Sequence, residues 1–208
     1  MTPSGVLATV ATVLTTTAPL PAPPVPARWG RGLRTALAVH QARQMLTPGP
    51  AVLLDTETTD LEGAMCEVAV IDTDGTVLLN TLVFSGVPIV AAATAVHGIT
   101  DQDLAGAPAT AAVIAQLVQL IGDRQVLAYN APFDRAVLLR DAHRTGTTAG
   151  ALASARRWGC VMRTRAAADH RTWQALDGGH RALDDTRATL SVLQEVAARP
   201  LLARRHQP

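Results

Sequence analysis

The distribution of apolar and polar positions divides the chain into three stretches. Residues 1–27 end in the proline-rich segment Pro19-Leu-Pro-Ala-Pro-Pro-Val-Pro26 and are expected to form a disordered Ala/Thr/Pro-rich leader. Over residues 28–47, Leu33, Leu37 and Met45 recur at roughly helical intervals and predict an amphipathic helix, broken by Pro48-Gly49-Pro50. From residue 51 the pattern changes again. Residues 51–54 are a short, wholly apolar run, as in a central strand buried on both faces. Residues 67–71 and 76–84 read as two more strands, and Asp72-Thr-Asp-Gly75 between them supplies hairpin-turn chemistry. A helix is expected over 108–121, with Val113, Leu117, Leu120 and Ile121 along one side and Gly122-Asp123 at its end. A strand over 126–129, a helix over 132–144 closed by Gly146, a strand over 160–162 and a last helix over 181–198, stopped by Pro200, complete the series. A hairpin followed by alternating helices and strands predicts an α/β domain with a mixed β-sheet over 48–199, leaving 200–208 as a tail.

Composition narrows the class. The chain has 208 residues, 48% of them hydrophobic and 17% charged, against about 25% charged in ordinary soluble domains. There is no lysine, so all 18 basic side chains are arginine. A net charge of +1 gives no strong long-range pull on polyanions, so any nucleic-acid contact must come from a local site. Cys66 and Cys160 are far apart in sequence and lack metal-binding spacing, which argues against a disulfide framework and favours the reducing cytoplasm. The apolar run Val6–Leu14 is too short to span a bilayer. No Lys or Arg precedes Arg28, unlike a secretory signal, so no membrane association is expected.

The candidate chemistry is acidic. In Leu54-Asp55-Thr56-Glu57-Thr58, directly after the buried run, residues two apart share a strand face, so Asp55 and Glu57 put two carboxylates side by side. A divalent cation is the usual partner for such a pair, and hard oxygen donors suit Mg²⁺ or Mn²⁺. Alone, the pair reads better as two solvated acids in a loop. In Tyr129-Asn130-Ala131-Pro132-Phe133-Asp134, Pro132 fits a first helical turn and places Asp134 there, where a charge complementing the helix dipole is the bland explanation. In Gly178-Gly179-His180-Arg181-Ala182-Leu183-Asp184-Asp185, His180 falls at a helix entry and Asp185 inside the helix. Only one of Asp184 and Asp185 can face the site.

Together these segments resemble the signature of the DEDDh exonucleases, the DnaQ-like group that includes the proofreading subunit of bacterial replicative polymerase. The family pattern Asp-x-Glu, Asn-x-x-Phe-Asp, His-x-x-x-x-Asp is matched by Asp55 and Glu57, by Asn130, Phe133 and Asp134, and by His180 and Asp185. Ala95-Val-His-Gly-Ile-Thr100 is similar to the family's Val-His-Gly-Ile segment. The resemblance covers about residues 48–198 and departs at Met162-Arg163, where many relatives carry an Asp-Thr or Asp-Ser pair. It implies an RNase H-like fold and 3′→5′ hydrolysis of phosphodiesters by two Mg²⁺ or Mn²⁺ ions, releasing nucleoside 5′-monophosphates. It implies that Asp55 bridges both ions, that Glu57 and Asp185 complete the site of the water-activating ion, and that Asp134 holds the other, often through water. His180 would be the general base, a task suited to a side chain that titrates near neutrality. Thr58, Val96, His97, Asn130 and Phe133 would contact the terminal nucleotide. The implied partner is a nucleic-acid 3′ end, single-stranded DNA ahead of RNA, and a polymerase or repair partner is left open.

Two rival readings stay open. Val70-Ile-Asp72-Thr-Asp74-Gly-Thr76 resembles the first motif of haloacid-dehalogenase-type phosphatases, although the lysine those enzymes need is missing and the same residues make an ordinary turn. An RNA-trimming exoribonuclease of the DEDDh group is the other.

Overall fold

The wholly apolar run at 51–54 is the first half of a longer central strand, β1 (Ala51–Thr58), which carries Asp55 and Glu57 within it. The computed structural model describes residues 30–201, so the leader expected over 1–27 and most of the tail lie outside the described residues. The other strands are β2 (Met65–Asp72), β3 (Val77–Leu82), β4 (Gln125–Ala128) and β5 (Trp158–Cys160). The helices are α1 (Arg31–Met45), α2 (Ala91–His97), α3 (Thr110–Ile121), α4 (Ala131–Arg144), α5 (Val161–Asp169) and α6 (Ala182–Ala198). One sheet runs β3-β2-β1-β4-β5. β1 pairs antiparallel with β2, and β2 with β3, while β4 and β5 add parallel to β1. This is the mixed sheet expected, in the arrangement of an RNase H-like fold.

The sheet is covered on both faces, which is why β1 has no polar residue before Asp55. Val52, Leu54, Val68, Val70 and Val126 face α3 and α4, meeting Val113, Ile114, Leu117, Val137 and Leu138. On the other face Ala51, Leu53, Ile71 and Leu127 meet Ala38, Ala42 and Met45 of α1, Val161 and Met162 of α5, and Leu190, Leu193 and Val196 of α6. The period of two then sends the end of β1 to two different partners. Asp55 and Glu57 continue the Leu53 face toward α6, and Thr56 continues the Leu54 face toward α4.

Three local expectations are corrected. Leu33 and Leu37 do not form the buried stripe of α1. They are 46% and 45% exposed, and the docked face is Ala38, Val39, Ala42 and Met45. Small residues let α1 lie close against α5 and α6, and alanines give too weak a periodic signal to mark that face. The strand expected at 160–162 ends at Cys160, and Val161 opens α5, because a short buried apolar run is compatible with either state. The helix α2 has no counterpart in the pattern reading. The Asp72–Thr76 segment is the β2–β3 hairpin turn. Asp72 N–H donates to the Thr76 carbonyl (2.8 Å) and Thr76 N–H to Asp74 Oδ1 (2.8 Å). Asp72 also pairs with Val52 at the start of β1, the end of the sheet remote from Asp55 and Glu57. No helix among the described residues is long and apolar enough to cross a membrane.

Candidate active site

The carboxyl ends of the parallel strands β1 and β4 form the floor of the site, and the first turns of α4 and α6 rise beside it. Asp55, Glu57 and Asp185 converge there, each offering a carboxylate oxygen, with all three oxygens within 4.8 Å of one another. Asp185 is the inward member of its pair. Asp184 is exposed and lies 3.9 Å from Arg187 on the helix surface. The approach of Asp185 leaves no room at Gly178, where a Cβ would stand 2.0 Å from Asp185 Oδ1.

Asp134 stands just outside this group and is buried. Its Oδ1 accepts both the backbone N–H of Thr56 (3.1 Å) and the Thr56 hydroxyl (2.9 Å), which leaves Oδ2 for another partner. His180 is exposed, with a left-handed backbone (φ 52°), a conformation histidine tolerates better than bulkier residues. Its N–H donates to Asp185 Oδ1 at 3.1 Å, so the residue two before the helix is tied to the carboxylate inside it.

The remaining sequence candidates divide by depth. Val96 is 55% exposed on α2, and Asn130 is exposed at the start of α4. Phe133 packs against the α3/α4 core, and the Thr58 side chain is buried. His97 differs most from expectation. It is buried, its Nδ1 accepts from Ile99 N–H (3.0 Å), and Nε2 therefore carries the proton donated to the Thr58 carbonyl (3.2 Å). Its ring holds the end of β1 in place rather than lining an open cleft.

Sequence reasoning missed two residues here. Glu67 of β2 lies directly opposite Glu57 in the β1–β2 register and is only 3% exposed, and Arg181 grips it. A glutamate inside the apolar strand Met-Cys-Glu-Val-Ala-Val-Ile was the available signal, since a buried carboxylate requires a partner.

Burial raises the proton affinity of these acids, and for Asp55 and Glu57 the neighbouring carboxylates add to it. Burial pushes the Asp55 carboxyl well above the usual range, and the charges of Asp134, Glu57, Asp185 and Glu67 add to it. Burial, with Asp185 and Glu67, pushes Glu57 up to about 8, partly opposed by Arg181. Burial pushes Asp134 up to about 7 against the pull of its Thr56 hydrogen bonds. Burial raises Asp185 too, while the His180 N–H holds it down. Such a cluster has the capacity to bind a cation.

Residues 52–193 match the family model RNase_T, described as exonuclease. The uncharacterized exonuclease CP81 of Escherichia phage 186 is 30% identical over 186 residues, covering 78% of this chain and 96% of its own length. The chain belongs to the DEDDh exonuclease family. It is related to the DnaQ-type proofreading exonucleases and is a hydrolase. A DNA polymerase III subunit epsilon-like protein of Rhodobacter capsulatus is 38% identical to this exonuclease over 120 residues, which span 53% of the chain but 16% of that longer protein. The solved structure of exonuclease X in complex with 5′ overhanging duplex DNA is 26% identical, with a TM-score of 0.47, covering 73% of this chain and 95% of its own.

The proton affinities of the exonuclease's site make its metal-free stability depend on pH. Glu57 and Asp134 keep their protons to higher pH in the folded protein than in the unfolded chain. The stability they contribute is full below their unfolded values of about 4 and is lost as pH rises through about 7 to 8. Divalent cations select the ionised carboxylates and should reverse the loss. We expect the Tm in chelator to be lower at about pH 8.5 than at about pH 5.5, and added Mg²⁺ to raise it mainly at the higher pH. A metal-free Tm that climbs across this range would contradict the assigned cluster.

Proposed function

We propose that the protein is a metal-dependent 3′→5′ exonuclease that removes nucleotides singly from a nucleic-acid end as nucleoside 5′-monophosphates. The observation that carries this reading is the convergence of Asp55, Glu57 and Asp185 within 4.8 Å at the end of β1, in a chain of an exonuclease family. The donor set fits the cofactor. Three mutually repelling carboxylates in a partly desolvated site offer hard oxygens and a charge deficit, which suits Mg²⁺ or Mn²⁺. Asp55, Glu57 and Asp185 would hold one ion, and Asp55 with Asp134 would hold a second. Ions bound there supply Lewis acidity, offsetting the charge that builds on the phosphate and on the departing 3′ oxygen.

The chain's own groups do the rest. His180, exposed and tethered through its backbone to Asp185, takes the proton of the attacking water. Val96 and Asn130, exposed at the rim, receive the terminal sugar and base, while Thr58, His97 and Phe133 shape the floor from within. The polymerase III epsilon-like relative supports DNA as the substrate. Aromatic residues make up 3% of the chain, too few for an extended stacking platform, so a short grip on a single-stranded 3′ end is the fitting mode. Cys66 and Cys160 are free thiols on different elements, in keeping with a cytoplasmic setting.

Incubation with 5′-labelled single-stranded DNA and Mn²⁺ or Mg²⁺ should produce a ladder shortening from the 3′ end, abolished by chelator. A parallel labelled RNA should be cut more slowly. Internal cuts, or cleavage indifferent to chelator, would refute the reading, and faster RNA trimming would transfer the substrate to RNA.

A further inference from the structure

We propose that Glu67 and Arg181 form a positioning clamp that seats the first turn of α6 on β2 and thereby holds Asp185 and His180 in the site. α6 begins without a side-chain cap of its own, since Arg181 occupies the cap position and offers no acceptor. The acceptor comes from across the sheet. Glu67 Oε2 takes the N–H of Ala182, the first residue of the helix, at 2.9 Å. The same carboxylate is held by both arms of the Arg181 guanidinium, Nε to Oε2 at 3.0 Å and Nη2 to Oε1 at 2.6 Å. A bidentate fork fixes direction as well as distance, which a single point charge does not.

The partners on either side define what the clamp does. Glu67 lies opposite Glu57 across the β1–β2 ladder, where two like charges would drive the strands apart unless one is neutralised. Arg181 neutralises Glu67, which leaves Glu57 to face Asp55 and Asp185. On the helix side, Arg181 adjoins His180, and the Asp185 N–H donates to the Arg181 carbonyl at 2.9 Å. The chain of contacts therefore runs from β2 through Glu67 to Arg181 and Ala182, and from there to the residues assigned to metal binding and proton transfer. Neither Glu67 nor Arg181 is among the three carboxylates that converge or the residue assigned as base.

This inference rests on the proposed reaction, and the experiment separates the two. Arg181→Met, Arg181→Lys, Glu67→Gln and the double variant Glu67→Gln/Arg181→Met are compared with the parent by Mn²⁺ calorimetry, steady-state cleavage of a labelled oligonucleotide and far-UV circular dichroism. Loss of a group that orients a metal ligand typically costs about 10–100-fold in metal affinity or activity. We expect Arg181→Met to weaken Mn²⁺ binding and lower kcat within that range, with KM for the oligonucleotide nearly unchanged. Arg181→Lys should restore only part of both. The double variant should be little worse than Arg181→Met, because both substitutions cut the same link. Glu67→Gln and Arg181→Lys preserve side-chain size and carry the test if Arg181→Met does not fold. A rise in KM with kcat and Mn²⁺ affinity intact would make Arg181 a substrate contact and overturn the clamp, as would parent-like Mn²⁺ binding and kcat in the folded variants. A parent that does not cleave DNA or RNA refutes the reaction, and the calorimetric comparison still decides the clamp.

Discussion

Asp55→Ala should abolish divalent-metal binding and turnover together while leaving the fold intact. Asp55 is flanked on one side by Glu57 and Asp185, whose carboxylate oxygens lie with its own within 4.8 Å, and on the other by Asp134, whose charge is the largest of those raising its proton affinity. It is therefore the group we propose serves both ions. Lewis-acid stabilisation of the phosphate contributes several kcal/mol, so its loss should lower kcat by at least about 10³-fold. The stability of the metal-free protein should move the other way. At a pH where these acids are ionised, removing one of them relieves repulsion and a buried charge, so the Tm in chelator should equal or exceed that of the parent, and added Mg²⁺ should no longer raise it. Mn²⁺ calorimetry and thermal unfolding read the two effects separately. An inactive variant that still binds Mn²⁺ with the parent's affinity would remove Asp55 from the metal site.

The second large effect separates the base from the ligands. His180 contributes its backbone N–H, not its ring, to the Asp185 contact. Loss of the ring should leave Mn²⁺ affinity near the parent's and reduce turnover by about 10²–10⁴-fold, the usual contribution of general-base catalysis. The left-handed backbone at this position (φ 52°) makes His180→Asn a cleaner probe than His180→Ala, because asparagine accepts that conformation at lower cost. The rise of rate with pH that a protein base imposes should flatten in both variants. If His180→Asn loses metal as severely as Asp55→Ala, His180 is a ligand. If it keeps full turnover, another group is the base.

The sequence by itself determined the features that local periodicity governs. The period of two along β1 put Asp55 and Glu57 on one face, as the structure shows, because that relation holds in any strand. The helical register at the start of α6 required Asp184 and Asp185 to point apart, and the family resemblance, through its His-x-x-x-x-Asp spacing, implied Asp185 as the inward one. The hairpin turn at Asp72–Thr76 was legible for the same reason. Its residues satisfy one another within a few positions.

Tertiary structure decided everything that depends on a partner remote in sequence. Thr56 holds Asp134 across 78 residues, Arg181 holds Glu67 across 114, and His97 reaches Thr58 across 39. No local pattern distinguishes a buried, satisfied histidine from one lining a cleft, or a paired glutamate in a strand from a solvated one. The docked face of α1 was hidden likewise, since Ala38 and Ala42 are selected by the close approach of α5 and α6 rather than by strong hydrophobicity. Side-chain periodicity records which way a residue points within its own element. What it meets there is set by how the elements pack, and in this protein that packing turns scattered acids into one site.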